Sequence, residues 1–196
     1  MVDPRSNSPK WTLLPTRAGA ARQLEPGTLT RTPRVAWLPD SRRIALVGQE
    51  KDRPPRCFVQ DIEGGAPRAI TPEGQTGLTV TPDGRQVLTT KDGELFLSPI
   101  DGGESRRLKW KLDGASPLRI SADGRWLYVQ QLQPARATIS RVELATGKRE
   151  VWKEVVPSDP VGVRFVGNLR LTPDGKTYAY HLTRQVSDLY LVEGLR

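Results

Sequence analysis

Residues 78–108 read LTVTPDGRQVLTTKDGELFLSPIDGGESRRL, and this stretch decides the fold. A short apolar run (Leu78, Val80) is followed by Thr81-Pro82-Asp83-Gly84-Arg85 and then a second run (Val87, Leu88). Lys91-Asp92-Gly93-Glu94 leads to a third run from Leu95 to Ile100, and Asp101-Gly102-Gly103-Glu104 to a last one carrying Arg106 and Leu108. Each Asp-Gly pair supplies residues that tolerate the positive φ of a tight hairpin. Three such turns between four short runs predict a four-stranded antiparallel meander. A meander this small cannot bury its own faces, so it must stack on copies of itself or on something else.

The pattern recurs in both directions. Upstream, Arg34 to Trp37 leads into Leu38-Pro39-Asp40-Ser41-Arg42-Arg43, with Ser41 where glycine would stand, then Ile44 to Val47 and, after a polar loop, Cys57 to Ile62. Glu63-Gly64-Gly65-Ala66 turns into an outer strand from Pro67 to Thr71, where proline is tolerated because an edge strand need not donate on its open side. Downstream, Leu118 to Ser121 precedes Ala122-Asp123-Gly124-Arg125, Trp126 to Gln130 and Thr138 to Leu144, with a turn at Ala145 to Lys148. The last unit shows Leu169 to Leu171, Thr172-Pro173-Asp174-Gly175-Lys176, Thr177 to His181 and a third run from Asp188 to Val192. Residues 155–166 ahead of it read as an insertion. Trp11 to Pro15 and Arg22 to Leu24 read as the second half of a first unit. Its outer run, Ala21 to Leu24, could complete the final blade of a closed ring, but Trp11 to Pro15 would then be surplus, which argues for an open arc or a truncation.

The aspartates Asp40, Asp83, Asp123 and Asp174 stand 43, 40 and 51 residues apart. Four strands at a period near 40 mark a β-propeller blade, and a β-sandwich would not repeat this turn chemistry at this period. The expected fold is therefore all-β: a propeller segment of four-stranded antiparallel blades, about four to five in number, with the first and last incomplete. Residues 1–10 are expected to be disordered and 11–33 to form a partial blade. Blades are expected over 34–74, 75–114 and 115–156, with an incomplete one over 157–196.

The turns at Pro82-Asp83-Gly84-Arg85, Ala122-Asp123-Gly124-Arg125 and Pro173-Asp174-Gly175-Lys176 are followed by second turns such as Gly64-Gly65 and Gly102-Gly103. Together they resemble the WD40-like repeat of TolB-type propellers from Trp11 onward. Residues 171–180 and 187–195 are also similar to the C-terminal tail of bacterial receptor-like serine/threonine kinases, in which a kinase domain and a membrane helix precede a TolB-like propeller. The kinase motifs themselves are absent from this sequence. That resemblance implies a sensor or interaction region of a larger bacterial signalling protein.

Composition narrows the chemistry. One cysteine, Cys57, and one histidine, His181, exclude an internal disulfide and a His/Cys zinc cluster. No cofactor or metal is expected. No run approaches the ~20 apolar residues of a membrane helix, and the N-terminus lacks a signal-peptide core, so a soluble chain is expected. It could work in the cytoplasm or as the extracytoplasmic part of a membrane-anchored protein. The net charge of +8 suggests an anion or nucleic-acid partner on one reading and a basic solvated surface on the other. The Lys and Arg residues are scattered, without a helix or aromatic platform, which favours the second.

The aspartates and glycines of the turns (Asp40, Asp83, Gly84, Asp123, Gly124, Asp174, Gly175) read as hairpin-fixing residues. One per blade, the aspartates cannot converge on a metal. The likeness of residues 121–126 to a sialidase Asp-box fails on spacing. No Gly-x-Ser-x-Gly elbow accompanies His181, and no enzyme is expected. The five tryptophans are expected between blades, with one or two lining the funnel. Binding is assigned to the longer loops, through Gln49, Arg53, Arg56, Gln133, Arg136, Ser158 and Asp159. The leading function is a non-catalytic module for a protein partner or small ligand. The alternatives are the accessory propeller of a hydrolase or kinase, and an anion or nucleic-acid binder. The flat faces of the end blades are expected to favour self-association.

Overall fold

The computed structural model describes residues 11–188, 190 and 193–194. Within them the chain is all-β, with sixteen strands in five antiparallel sheets that follow one another along the sequence. β1 (Trp11–Leu13) and β2 (Arg22–Leu24) form a two-stranded sheet. Three four-stranded blades come next: β3 (Leu29–Trp37) to β6 (Gly64–Ala69), β7 (Thr76–Val80) to β10 (Arg106–Arg107), and β11 (Ser116–Ile120) to β14 (Arg149–Val155). β15 (Val163–Leu171) and β16 (Tyr178–Arg184) make the last sheet. The expected segment at 1–10 lies outside the described residues, as does much of the expected strand at 188–192.

Strand periodicity explains the stacking. In β4 (Arg43–Glu50), Ile44 and Leu46 pack with Leu24, Leu29 and Phe58, on the side of the N-terminal sheet, while Ala45 and Val47 pack with Val87 and Ile100 of the next blade. In β12 (Trp126–Gln133), Leu127 and Val129 join Leu88, Leu95 and Leu97 behind them, while Tyr128 joins Val166, Leu169 and Leu171 ahead. Successive side chains point to opposite faces, so each blade serves two cores and its second strand reads as an unbroken apolar run. Four clusters fill the four gaps between the five sheets. Cys57 sits in one of them, fully buried, its thiol donating to the Gly77 carbonyl at 3.1 Å. Burial pushes that thiol up to about 12.

Two expectations are corrected, at residues 163–166 and at the start of the first full blade. Residues 163–166 are not an insertion but the start of β15; only the segment before them is a loop. Their strand character escapes the sequence because the pairing is interrupted twice, between Val163 and Phe165 and between Gly167 and Arg170. Residues 22–24 pair with β1, and among the described residues no strand pairing joins that sheet to β15–β16. Each sits instead on the blade beside it, through Trp11 and Leu13 at one end and Val166 and Leu169 at the other. Finally, β3 starts at Leu29, well before the run at 34–37, because Pro33 and polar neighbours hide its first half.

Candidate functional site

The first strand of each unit, β3, β7, β11 and β15, lies at the inner edge of its sheet, and β7 lies against both β3 and β11, with β11 against β15. The four edges line a central channel. Every inner strand is irregular there: the register shifts between Arg31 and Arg34, Thr76 and Thr79, Pro117 and Arg119, and Gly167 and Arg170. Bulges bend a strand and re-aim its side chains. Gly77 (φ 100°) and Asn168 (φ 50°) supply left-handed residues at two of these shifts, and Pro33 and Pro117 stand at the other two, where they block pairing of an open edge.

Two cavities adjoin along the channel. The larger, about 740 Å³, is lined by Pro33, Arg34, Val35, Leu78, Pro117, Leu118, Gln130, Asn168 and Arg170, among others. The smaller, about 220 Å³, lies toward the strand ends and is bounded by Trp37, Val80, Arg119, Arg170 and Leu171. Leu78, Thr79, Leu118 and Arg170 border both. No aspartate or glutamate lines either. Arg119 donates to the Leu171 carbonyl at 2.7 Å and Arg170 to that of Leu169 at 2.9 Å. The Oε1 of Gln130 is buried and has no partner among the described residues.

The turn residues stand apart from the channel, one set per sheet. Asp83 Oδ1 accepts from the Thr81 hydroxyl (2.6 Å) and the Arg85 N–H (3.0 Å). Asp123 does the same with Ser121 (2.5 Å) and Arg125 (3.0 Å), and Asp174 with Thr172 (2.5 Å) and Lys176 (3.0 Å). These hydroxyl and backbone donors hold all three carboxyls below their ordinary range. Each therefore adds stability that is fully present above the unfolded pKa and is lost as pH falls through the folded one. Gly84, Gly124 and Gly175 follow at φ near 70°. In the first blade the buried Leu38 replaces the hydroxyl residue, Ser41 takes the left-handed position (φ 56°), and Asp40 accepts from the Arg42 N–H and Arg43 Nε instead. Those two contacts lower its pKa likewise.

The loop residues singled out in the sequence do not line the channel. Arg53 and Arg56 are held by Glu50, with Glu73 also on Arg53, and Gln49 caps the Arg53 carbonyl at 3.1 Å. Gln133 and Arg136 face each other across the tight β12–β13 hairpin. Asp159 is paired with Arg184 at 2.7 Å, next to Ser158 in the loop before β15. Of the tryptophans, Trp37 reaches the channel; Trp11, Trp110 and Trp152 pack against the cores, and Trp126 lies between the Arg125 and Arg141 guanidiniums. His181 lies beside Phe165, ring centroids 6.4 Å apart. Among the described residues no three His, Cys, Asp or Glu side chains gather as a metal site, and no helix is long and apolar enough to cross a membrane. The arginines of the channel went unremarked in the sequence. Their signal was available: the run ahead of each Asp turn contains no acid, and three of the four contain arginine.

No family model matches the chain, and no curated protein matches it in sequence. Solved structures do. A putative TolB from Agrobacterium tumefaciens superposes with a TM-score of 0.61 at 20% identity, covering 88% of this chain and 62% of that one. TolB from Acinetobacter baumannii gives 0.62 at 20% identity, over 87% of this chain and 42% of that one. A prolyl endopeptidase gives 0.50 at 18% identity, over 80% and 27%. The chain thus spans 62% and 42% of the two TolB chains, and at such identities the likeness shows the fold: blades of a TolB-like β-propeller.

Proposed function

We propose that the chain is a non-catalytic propeller module that binds a protein partner or ligand at its central channel, within a larger bacterial signalling protein. The observation that carries this reading is the concentration of irregular backbone on the four inner strands, around a cavity of about 740 Å³. A space of this size, with polar groups set among apolar ones, falls within the range of ligand-binding cavities. The similarity of residues 171–180 and 187–195 to receptor-kinase tails supports the signalling context. The accessory propeller of a hydrolase is the second reading, favoured by the likeness to the prolyl endopeptidase.

A photo-cross-linking residue placed at Leu78 or Leu118, in the source cells, is expected to capture a partner, whereas one at Thr12 or Asp159 is not. Capture at Thr12 or Asp159 alone would move binding away from the channel. The same module is expected to self-associate through its end sheets, which expose Leu14 at one end and Phe165 and Tyr180 at the other. Sedimentation equilibrium reads this directly; a monomer at every concentration would remove it.

A further inference from the structure

We infer that the channel receives a short acidic segment of a partner protein, a conclusion that rests on the binding-module reading above. The four inner strands contain five arginines (Arg31, Arg34, Arg119, Arg164, Arg170), no lysine and no acid. Elsewhere eight arginines pair with carboxylates, Arg22, Arg43, Arg53, Arg56, Arg107, Arg125, Arg141 and Arg184. Among the described residues no carboxylate lies within 4.0 Å of any of the inner five. Of the five, Arg34, Arg119 and Arg170 line the two cavities, which no carboxylate lines. A cleft lined by one sign of charge between low-dielectric walls focuses its field and concentrates the opposite ion.

Three further features select the ligand class. Arginine presents a planar fork that matches carboxylate or phosphate in two parallel bonds, which lysine cannot do. Between the arginines lie Val35, Leu78 and Leu118, which suit a ligand with apolar groups as well as charge. The Gln130 amide also lines the larger cavity, and a peptide backbone offers both a donor and an acceptor to match its two ends. Nucleic acid is disfavoured because stacking platforms are missing: Trp37 is the one aromatic side chain lining either cavity. Two adjoining cavities with a shared wall suit an extended segment lying along the axis.

The test is a fluorescence-anisotropy titration of the full chain with the labelled hexapeptide Glu-Leu-Glu-Leu-Glu-Leu and its lysine-for-glutamate counterpart. The acidic peptide is expected to saturate, at least roughly tenfold tighter than the basic one, and to weaken steeply as salt rises. The double variant Arg34→Gln, Arg170→Gln is expected to lose at least roughly tenfold in affinity with its thermal melt unchanged, since both side chains are exposed. Arg53→Gln, in an ion-paired outer loop, is expected to bind like the parent. Equal binding of the two peptides, an unaffected double variant, or a loss with Arg53→Gln would overturn the inference. So would pyrophosphate or an oligothymidine binding more tightly than the acidic peptide, since phosphate would then be the ligand. Cross-links from Leu78 or Leu118 without acidic-peptide binding would refute the charge inference alone and leave the module standing.

Discussion

The second blade and the last sheet begin with the same turn and end in different surroundings. Thr81-Pro82-Asp83-Gly84 and Thr172-Pro173-Asp174-Gly175 make the same bonds. The glycine N–H reaches the threonine carbonyl at 2.9 Å in both, and the threonine N–H reaches the carbonyl of Gln86 or Thr177 at 2.9 Å. The register beyond the turn is also the same, Val80 opposite Val87 and Leu171 opposite Tyr178. Yet Val87, Leu88 and Thr89 are buried, whereas Tyr178 is half-buried and Ala179 and Tyr180 are exposed. The hairpin is a local event, set by hydroxyl, carboxylate and glycine within five residues. Burial is collective, and β8 (Gln86–Lys91) owes it to clusters on both sides, while β16 packs on the single cluster it shares with the third blade. In a stacked architecture stability is the sum of such interfaces.

The largest expected effect tests that difference. Leu88→Ala empties a site 2% exposed between the second and third blades, and should cost about 2–5 kcal/mol in urea denaturation. Leu182→Ala removes a half-buried side chain of the last sheet, and should cost about 1–2 kcal/mol, since less surface is lost and the site can relax. Amide exchange should follow the same order, faster in β16 than in β8, because protection tracks buried contacts. Equal costs and equal exchange would mean that the last sheet is as deeply embedded as the second blade.

The same contrast explains what could be read from the sequence. Asp83-Gly84, Asp123-Gly124 and Asp174-Gly175 were legible because their bonds close within the turn, and their spacing gave the blade period. Elements that depend on neighbours were not. Arg31 and Thr32 are part of β3 although nothing local says so, and Val163 to Val166 enter β15 only through pairing with residues near Arg184. The channel was the least legible. Arg34, Arg119 and Arg170 stand far apart in sequence and converge only when the inner strands ring a common axis. Arg53 and Arg56 read in the sequence as loop residues free to bind, but Glu73 and Glu50 occupy them. A charge becomes informative only once its partner, or the lack of one, is known.

A smaller effect sharpens the comparison at the turn itself. Gly124 (φ +72°) has open space around the direction of a Cβ, whereas at Gly175 (φ +69°) that atom would lie 2.8 Å from the Tyr128 hydroxyl. Gly124→Ala therefore measures the conformational cost of a left-handed alanine alone, about 1–2 kcal/mol. Gly175→Ala pays the same cost and must also displace Tyr128, which packs edge-on against Trp152 with centroids 5.4 Å apart. It should cost up to about 1 kcal/mol more. The difference between the two variants, read from paired urea curves, isolates the seating of the last turn on the third blade from the chemistry the turns share. Identical costs would show that the last hairpin folds in place without resting on Tyr128, and that its likeness to the second blade ends at its own hydrogen bonds.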